Sequence, residues 1–163
     1  MAIKHLFRPK WKHSDHRVRE AAVPKLTDQV LLEKIAKYDS KESVQRAAAE
    51  QVTNQAVLAD LAKAFDGGPV AVAVVRKLTD PALLAEIATS GFLEKVPSRY
   101  RHHNDVREAA AEKVTDQALL VEIIKNDITG FVRRAAFRKL TDPALLAEVA
   151  MTQLDDEVCW GGL

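Results

Sequence analysis

The sequence predicts an all-α fold, an α-solenoid of about five two-helix repeats. Three observations lead to this prediction. The segment RKLTDPALLAEIA at 76–88 returns at 138–150 with only Ile87 replaced, by Val149. A threonine followed by Asp or Asn recurs along the chain, and a valine stands ten residues before each of these Asp or Asn positions. Internal copies at a fixed period are typical of repeat proteins, whose units bury their apolar faces against one another.

The period follows from the Asp or Asn after the threonine, which we call the anchor of each repeat. The anchors are Asp28, Asn54, Asp80, Asp116 and Asp142. Their spacings of 26, 26, 36 and 26 residues give a period of 26 with one insertion of ten residues. The valines ten residues earlier are Val18, Val44, Val70, Val106 and Val132. Five matches in one frame fix the alignment of the repeats.

Each repeat contains two short amphipathic helices. In the first repeat, the apolar residues of the first helix are Val18, Ala21, Ala22 and Leu26. Those of the second helix are Leu31, Leu32, Ile35 and Ala36. Both spacings place the apolar residues on one face of an α-helix. Neither helix is long enough to be stable alone, so we expect stacking of the repeats to supply the burial.

The residues around each anchor predict where the helices begin and end. The aspartate anchors are good N-caps for the second helices, and Pro81 and Pro143 follow at the first helical position. Gly67 and Gly68 predict a tight turn into a third proline, Pro69, at the first position of a helix, because the lysine of a phosphate-binding loop is missing. Lysines three residues before four of the anchors complement the helix dipole at a C-terminus. They are Lys25, Lys77, Lys113 and Lys139.

We expect one repeat domain over residues 1–163, with irregular parts at both ends. Residues 1–13 are interpreted as an N-terminal cap over the first repeat, or as a basic interaction arm. The apolar residues there are Ile3, Leu6, Phe7 and Trp11, and the basic ones are Lys4, Arg8, Lys10 and Lys12. Residues 153–163 continue the frame at Val158, which predicts a degenerate sixth repeat. That segment either caps the last apolar face or belongs to a longer array.

The ten-residue insertion lies within residues 90–103, between the third and fourth repeats. The first helix of the third repeat is apolar nearly all round, since Val72 occupies a slot that is charged in the other repeats. A helix of this kind is usually covered. We therefore predict that the apolar residues of the insertion fold over it; otherwise the valines form an exposed patch awaiting a partner. Those residues are Phe92, Leu93, Val96 and Tyr100.

The composition argues against several classes of function. The 24 Lys+Arg and 23 Asp+Glu nearly cancel, so no whole-molecule field points to nucleic acid or a membrane surface. The single cysteine, Cys159, excludes an intrachain disulfide. The chain contains neither an apolar run of about eighteen residues nor a signal-peptide pattern. We expect a cytoplasmic protein with no membrane partner and no small-molecule substrate.

The repeat resembles bacterial HEAT-like repeats. The resemblance is carried by the pattern VREAA, then KLTDQALL and EI, and then a D before the next VR. The short period is also similar to leucine-rich variant repeats, and the opening FRPKWKHSDHRVREAA resembles the start of long bacterial repeat proteins of uncharacterised function. The HEAT-like resemblance implies that an Asp in the turn between repeats pairs with the Arg after the next valine. Asp127 and Arg133 fit this spacing. Asp39 fits it too, but the residue in the arginine slot is Gln45. No Asp stands at this spacing before Arg107. The iron–sulfur cluster of one leucine-rich variant protein is not implied, because the N-terminus has no cysteine.

No constellation for catalysis, cofactor binding or a metal is found in the sequence. His13 and His16 supply only two ligands, whereas zinc needs three or four. None of the serines lies in an elbow motif, and Cys159 stands next to the C-terminus, so an activated nucleophile is not predicted. We expect a non-enzymatic protein.

The charges of the second helices predict a protein-binding face. The slot six residues after the anchor holds Lys34, Asp60, Glu86, Glu122 and Glu148. In HEAT-like solenoids the second helices usually line the concave face, so the four acids form either a solvated stripe or a groove for a basic segment of another protein. Three insertion residues are placed at one rim of this groove: Arg99, Tyr100 and Arg101. The predicted function is a protein–protein interaction scaffold.

Three other functions are alternatives to this scaffold. Nucleic-acid binding through the basic N-terminal arm and the insertion would fall steeply with salt, and an acidic concave face argues against it. HEAT-like bilin lyases are a second possibility, although no residue here specifically supports that activity. The last is a purely structural domain of a larger protein.

Overall fold

A computed structural model of the protein describes the backbone of residues 9–65, 67–90 and 101–155, with the side chains of 101–103 and 152–155 outside the described part. Every regular element within these ranges is helical. The helices are α1 (His16–Ala22), α2 (Gln29–Tyr38), α3 (Glu42–Gln51), α4 (Gln55–Ala64), α5 (Gly68–Lys77), α6 (Pro81–Thr89), α7 (Arg101–Ala111), α8 (Gln117–Asn126), α9 (Gly130–Lys139) and α10 (Pro143–Asp155). Short 3-10 turns cover Lys10–Lys12 and Val23–Lys25. The prediction of an all-α fold is confirmed over this part of the chain.

The anchors cap the second helices as the sequence predicts. Asp28 Oδ1 accepts hydrogen bonds from the N–H groups of Val30 and Leu31, at 3.0 and 3.2 Å. Asp80, Asp116 and Asp142 repeat this two-bond cap, and Asn54 makes a single bond. A capped N-terminus satisfies backbone donors that have no partner within the helix. Five caps in the predicted frame confirm that each threonine–anchor pair separates two helices.

The entry into α5 differs slightly from the prediction. Gly67 and Gly68 have φ values of 81° and 84°, a region that only glycine adopts readily. The tight turn is therefore present, but the helix begins at Gly68. Pro69 is its second residue rather than its first. A proline is tolerated there because the first N–H groups of a helix have no internal partner.

The chain divides into two compact units, Met1–Thr79 and Asp80–Leu163. In unit 1, α2 packs against α3 and α4 against α5. The first helices of its repeats also pack on one another, α1 on α3 and α3 on α5, and the second helices α2 and α4 do the same. Unit 1 therefore has one layer of first helices and one layer of second helices.

Unit 2 is built in the same way from its own helices. α6 packs against α7, and α8 packs against α9. The first helices α7 and α9 contact each other, and among the second helices α8 contacts both α6 and α10. Within each unit, like helices thus pack on like helices, which is the arrangement that a 26-residue repeat requires.

The predicted apolar faces form the core. The valine slot is buried at Val44, Val70, Val106 and Val132, with exposures between 0 and 4%. Val18, in the first repeat, is only partly buried. On α5, Val75 is fully buried and Val72 is partly exposed. The insertion residues predicted to cover α5, and Ile3, Leu6 and Phe7 of the predicted N-terminal cap, lie outside the described residues.

The two copies of the thirteen-residue segment differ in burial. Leu84 and Ala88 of α6 are 4% and 0% exposed, whereas their counterparts Leu146 and Ala150 of α10 are partly exposed and exposed. Helix α10 also runs to Asp155, three residues into the segment assigned to a sixth repeat. The rest of that segment lies outside the described residues.

A hydrogen bond that the sequence analysis missed joins consecutive repeats. The residue after the anchor is glutamine in three repeats, and its side-chain oxygen accepts from the threonine N–H of the next repeat, 24 residues later. These bonds join Gln29 to Thr53, Gln55 to Thr79 and Gln117 to Thr141, at 2.9, 2.7 and 2.8 Å. The other two repeats have proline in this slot. Pro81 is one of them, and its repeat is the one followed by the ten-residue insertion.

Arginine–aspartate pairs also tie the repeats, but not with the partners that the HEAT-like resemblance implies. Arg19 donates to both carboxylate oxygens of Asp39, at 2.8 and 2.7 Å. Arg107 likewise donates to Asp127, and both residues are at most 3% exposed. Each arginine therefore pairs with the turn that follows its own repeat. No aspartate stands in the turn before Arg107, as the sequence predicts. Its partner, Asp127, comes from the turn that follows its own repeat.

The residues expected to be the partners bind the backbone instead. Arg133 Nη1 donates to the carbonyl oxygen of Asp127 at 2.8 Å. Gln45 Nε2 makes the same bond to the carbonyl oxygen of Asp39 at 2.9 Å. The expected pairing of Arg133 with the Asp127 carboxylate is therefore wrong, because the arginine of the preceding first helix already occupies that carboxylate.

Candidate protein-binding face

The four predicted acids all lie exposed on second helices. Asp60 is on α4 in unit 1, and the three glutamates are on α6, α8 and α10 in unit 2. Because α8 packs between α6 and α10 and the three residues share one slot of the repeat, Glu86, Glu122 and Glu148 form a row across unit 2. We call these three residues of unit 2 the acidic face; Asp60 holds the same slot of the repeat in unit 1.

Glu148 of this face pairs with a lysine. Lys125 Nζ lies 2.5 Å from Glu148 Oε1, and both side chains are more than a third exposed. Lys125 is on α8 and Glu148 on α10, so the pair links two neighbouring second helices. An exposed pair of this kind contributes little to stability, typically about 0–1 kcal/mol, and is screened by salt.

A lysine also stands near Asp60 in unit 1. Lys37 Nζ pairs with Glu33 Oε1 at 2.7 Å, one turn earlier on α2. That hydrogen bond raises the pKa of Lys37 most, and the negative charge of Asp60 adds to the effect. Lys37 and Asp60 are 23 residues apart, as are Lys125 and Glu148. The same repeat geometry therefore brings a lysine toward the acidic slot of the next repeat.

Glu122 is the central acid of the acidic face. It lies in the middle of the unit 2 row, it is exposed, and its carboxylate has no hydrogen bond or ion pair with any described residue. A free carboxylate between two neighbouring helices is suited to bind a lysine or arginine of another molecule.

The lysines near these acids were not predicted from the sequence. They occupy the slot nine residues after the anchor, which holds Lys37, Lys63 and Lys125. That recurrence was visible in the sequence, and it would have predicted a face of mixed charge. Of the insertion residues placed at the rim, Arg99 and Tyr100 lie outside the described residues. Arg101 begins α7, and its side chain is likewise outside the described part.

Other candidate chemistry is accounted for by local contacts. His13 Nδ1 accepts a hydrogen bond from the N–H of Asp15 at 3.0 Å, before α1. In the described ranges, no group of three or more His, Cys, Asp or Glu side chains is arranged to hold a metal ion.

Of the basic N-terminal residues, Lys10, Lys12 and Arg17 are exposed, whereas Arg19 is bound by Asp39. Among the described helices, none has the length and apolar character needed to cross a bilayer.

Comparison of the chain with family models, with curated proteins and with solved structures finds no match. The class that the structure itself defines is a helical protein with repeated helix pairs in each of two units. A function for this class has to be argued from its surfaces.

Proposed function

We propose that the chain is a non-enzymatic scaffold of HEAT-like solenoid type, which binds a basic segment of another protein on its acidic face. The observation that carries the proposal is the row of exposed carboxylates on successive second helices of unit 2, with the unpaired Glu122 at its centre. Asp60 holds the same slot of the repeat in unit 1.

The lysines of this face set how a partner binds. Because the Lys125–Glu148 pair is exposed, a basic ligand can replace Lys125 at little cost in free energy. The released lysine then returns to solvent. Binding through such exposed charges gives specificity and fast association more than high affinity, and it weakens as salt is added.

The spacing of the helices suggests the form of the partner. Packed helices lie about 8–10 Å apart, so the carboxylates of neighbouring repeats stand at about that interval. Three residues of a polyproline II segment complete one turn and span about 9 Å. A polyproline II segment with Lys or Arg at every third residue therefore presents its cations on one face, at about the interval of the carboxylates.

A peptide titration tests this function. The probe is a ten-residue peptide with lysine at every third position and alanine elsewhere, and the control peptide has the same composition with its four lysines adjacent. We expect the spaced peptide to bind more tightly and to lose affinity as salt is raised. Reversal of Asp60, Glu86, Glu122 and Glu148 to lysine should abolish the preference for the spaced peptide.

A matched variant controls for net charge. It reverses three carboxylates on first helices, Glu42, Asp105 and Glu108, and Glu112 in the turn directly after α7. This variant changes the total charge by the same amount and should keep the preference for the spaced peptide. Equal loss in both variants would show that only net charge matters, and the acidic face would then have no specific role.

A further inference from the structure

A mostly apolar pocket of about 500 Å³ lies on α1 in unit 1. Its floor is made by Val18, Ala21, Ala22 and Leu26, and Trp11 lines one side. None of these residues is fully buried. The volume falls within the range of about 300–1,000 Å³ that is usual for binding sites.

The repeat itself shows what fits this pocket. In the third repeat, the residues in the slots of Val18, Ala21 and Ala22 are Val70, Ala73 and Val74 of α5. These three residues lie against Ala49 and other residues of α3, the first helix of the preceding repeat. The face that is open on α1 is thus the face that, on α5, is covered by another helix.

A lysine fixes how such a helix is oriented. Lys77, on α5, donates to the carbonyl oxygens of Ala49, Glu50 and Val52 at the C-terminal end of α3, at 3.1, 2.6 and 2.6 Å. Carbonyls at a helix C-terminus have no partner within the helix and carry partial negative charge. Lys25 occupies the same slot in the first repeat and has no hydrogen bond or ion pair with any described residue. A helix bound to α1 in the same way ends beside Lys25.

The charge around the pocket selects the sequence of that helix. The pocket is bordered by three cations, Lys10, Arg17 and Lys25, and includes no acid. On α3, the residues that face α5 beside Ala49 are Arg46 and Glu50. A helix with acids in both of these slots is complementary to the three cations.

Two occupants from this chain have the wrong charge. One is a second copy of the chain that docks through α9, the first helix of the fifth repeat. That helix presents Arg134 and Arg138 in those slots. Residues 1–8 contain Lys4 and Arg8 and no acid. Like charges across an interface disfavour both. We propose that the pocket binds an α-helix of a partner protein that carries small and acidic residues on its docking face and ends beside Lys25.

The probe for this site is taken from the chain's own repeat. Residues 104–116, NDVREAAAEKVTD, carry glutamates in both slots, Glu108 and Glu112. A lactam bridge on the opposite face holds this short peptide helical, since isolated helices of this length are marginal. The control peptide is identical except for E108K and E112K. Binding is followed by the amide NMR shifts of the full chain.

We expect the acidic peptide to shift the signals of Ala21, Ala22 and Leu26, and the basic control peptide to shift none of them. Lys25→Ala should weaken binding about fivefold, because its contact with the helix C-terminus is lost. Lys34→Ala is the matched control, since Lys34 is exposed on α2 and does not line the pocket. It should leave the affinity unchanged.

Four results would overturn this proposal. One is the absence of shifts at millimolar acidic peptide. Another is equal binding of the two peptides, or equal affinities of the Lys25 and Lys34 variants. The last is binding that occurs only when residues 1–8 are deleted, which would assign the pocket to the chain's own N-terminal segment. The pocket shares no residue with the acidic face, so charge reversal of the acidic face should not change these shifts.

Discussion

At the scale of single residues, the same ion pair occurs in two repeats, but the pKa values of the two aspartates are shifted in opposite directions. The hydrogen bond from Arg19 is the largest influence on Asp39 and lowers the pKa of that carboxyl. Burial is the largest influence on Asp127 and raises its pKa, against the opposing effects of the Thr129 N–H and of Arg107. The difference follows from exposure, because desolvation disfavours the charged form.

Asp39→Asn tests this contrast. The substitution keeps an acceptor for the Lys41 N–H but removes the charge that binds Arg19, so we expect the free energy of unfolding at pH 7 to fall by about 1–2 kcal/mol. A lowered pKa gives stability that is present above the ordinary carboxyl value of about 3.9 and is lost as pH falls through the folded-state pKa. The gap between the natural chain and D39N should therefore narrow in acid, as measured by urea unfolding at several pH values.

The equivalent change at Asp127 is the control for this prediction. Because the folded-state pKa of Asp127 is raised, the folded protein favours the protonated carboxyl. The contribution of this group to stability is therefore present at low pH and is lost as pH rises through the folded-state pKa. The difference between the natural chain and D127N should therefore change with pH in the opposite direction. The same trend in both variants would contradict the assignment of these two environments.

At the scale of helices, residues at the helix ends make the hydrogen bonds that join the repeats. The positions of the anchors were sufficient to predict every second helix and its cap. The partner of a capping group could not be predicted, because it lies in another repeat. The lysines before the anchors were expected to complement the helix dipole, yet Lys77 binds carbonyls of the preceding repeat's helix, and its burial there lowers its pKa.

Lys77→Met measures the strength of this link. Methionine keeps the apolar stem but leaves three carbonyl oxygens of the α3 end without their donor, so we expect a loss of about 1–2 kcal/mol in unfolding free energy. Lys25→Met changes the same slot where no such bond is made and should cost less than about 0.5 kcal/mol. Equal losses, measured by urea unfolding, would mean that the Lys77 bonds do not stabilise the chain.

At the scale of the whole molecule, the fold was more predictable than the candidate binding face. Period, helix pairs and burial all follow from the 26-residue frame, because each repeat has to hide one apolar face. The charge of the acidic face depends on which side chain of one repeat reaches the next. The slot of Glu148 was identified from the sequence, but its pairing with Lys125 depends on the packing of α8 against α10.

The insertion provides a test of the repeat frame. Deleting residues 91–100 brings Thr115 to 24 residues after position 81, the separation seen in each glutamine–threonine bond. In this shortened chain, Pro81→Gln should raise the unfolding free energy by about 1 kcal/mol. In the full chain the same substitution should change it by no more than about 0.5 kcal/mol. An identical effect in both backgrounds, by chemical denaturation, would contradict the frame.

The duplicated segment of α6 and α10 has a practical use in following the dynamics of this protein. Amide protons in two stretches of nearly identical sequence have nearly the same intrinsic exchange rate with deuterium. Any difference between their measured rates therefore reports only how far the surroundings protect each copy. Since Ala88 is fully buried and Ala150 is exposed, the copy at 76–88 should retain its protons longer, and the ratio of the two rates calibrates local opening without an external reference peptide.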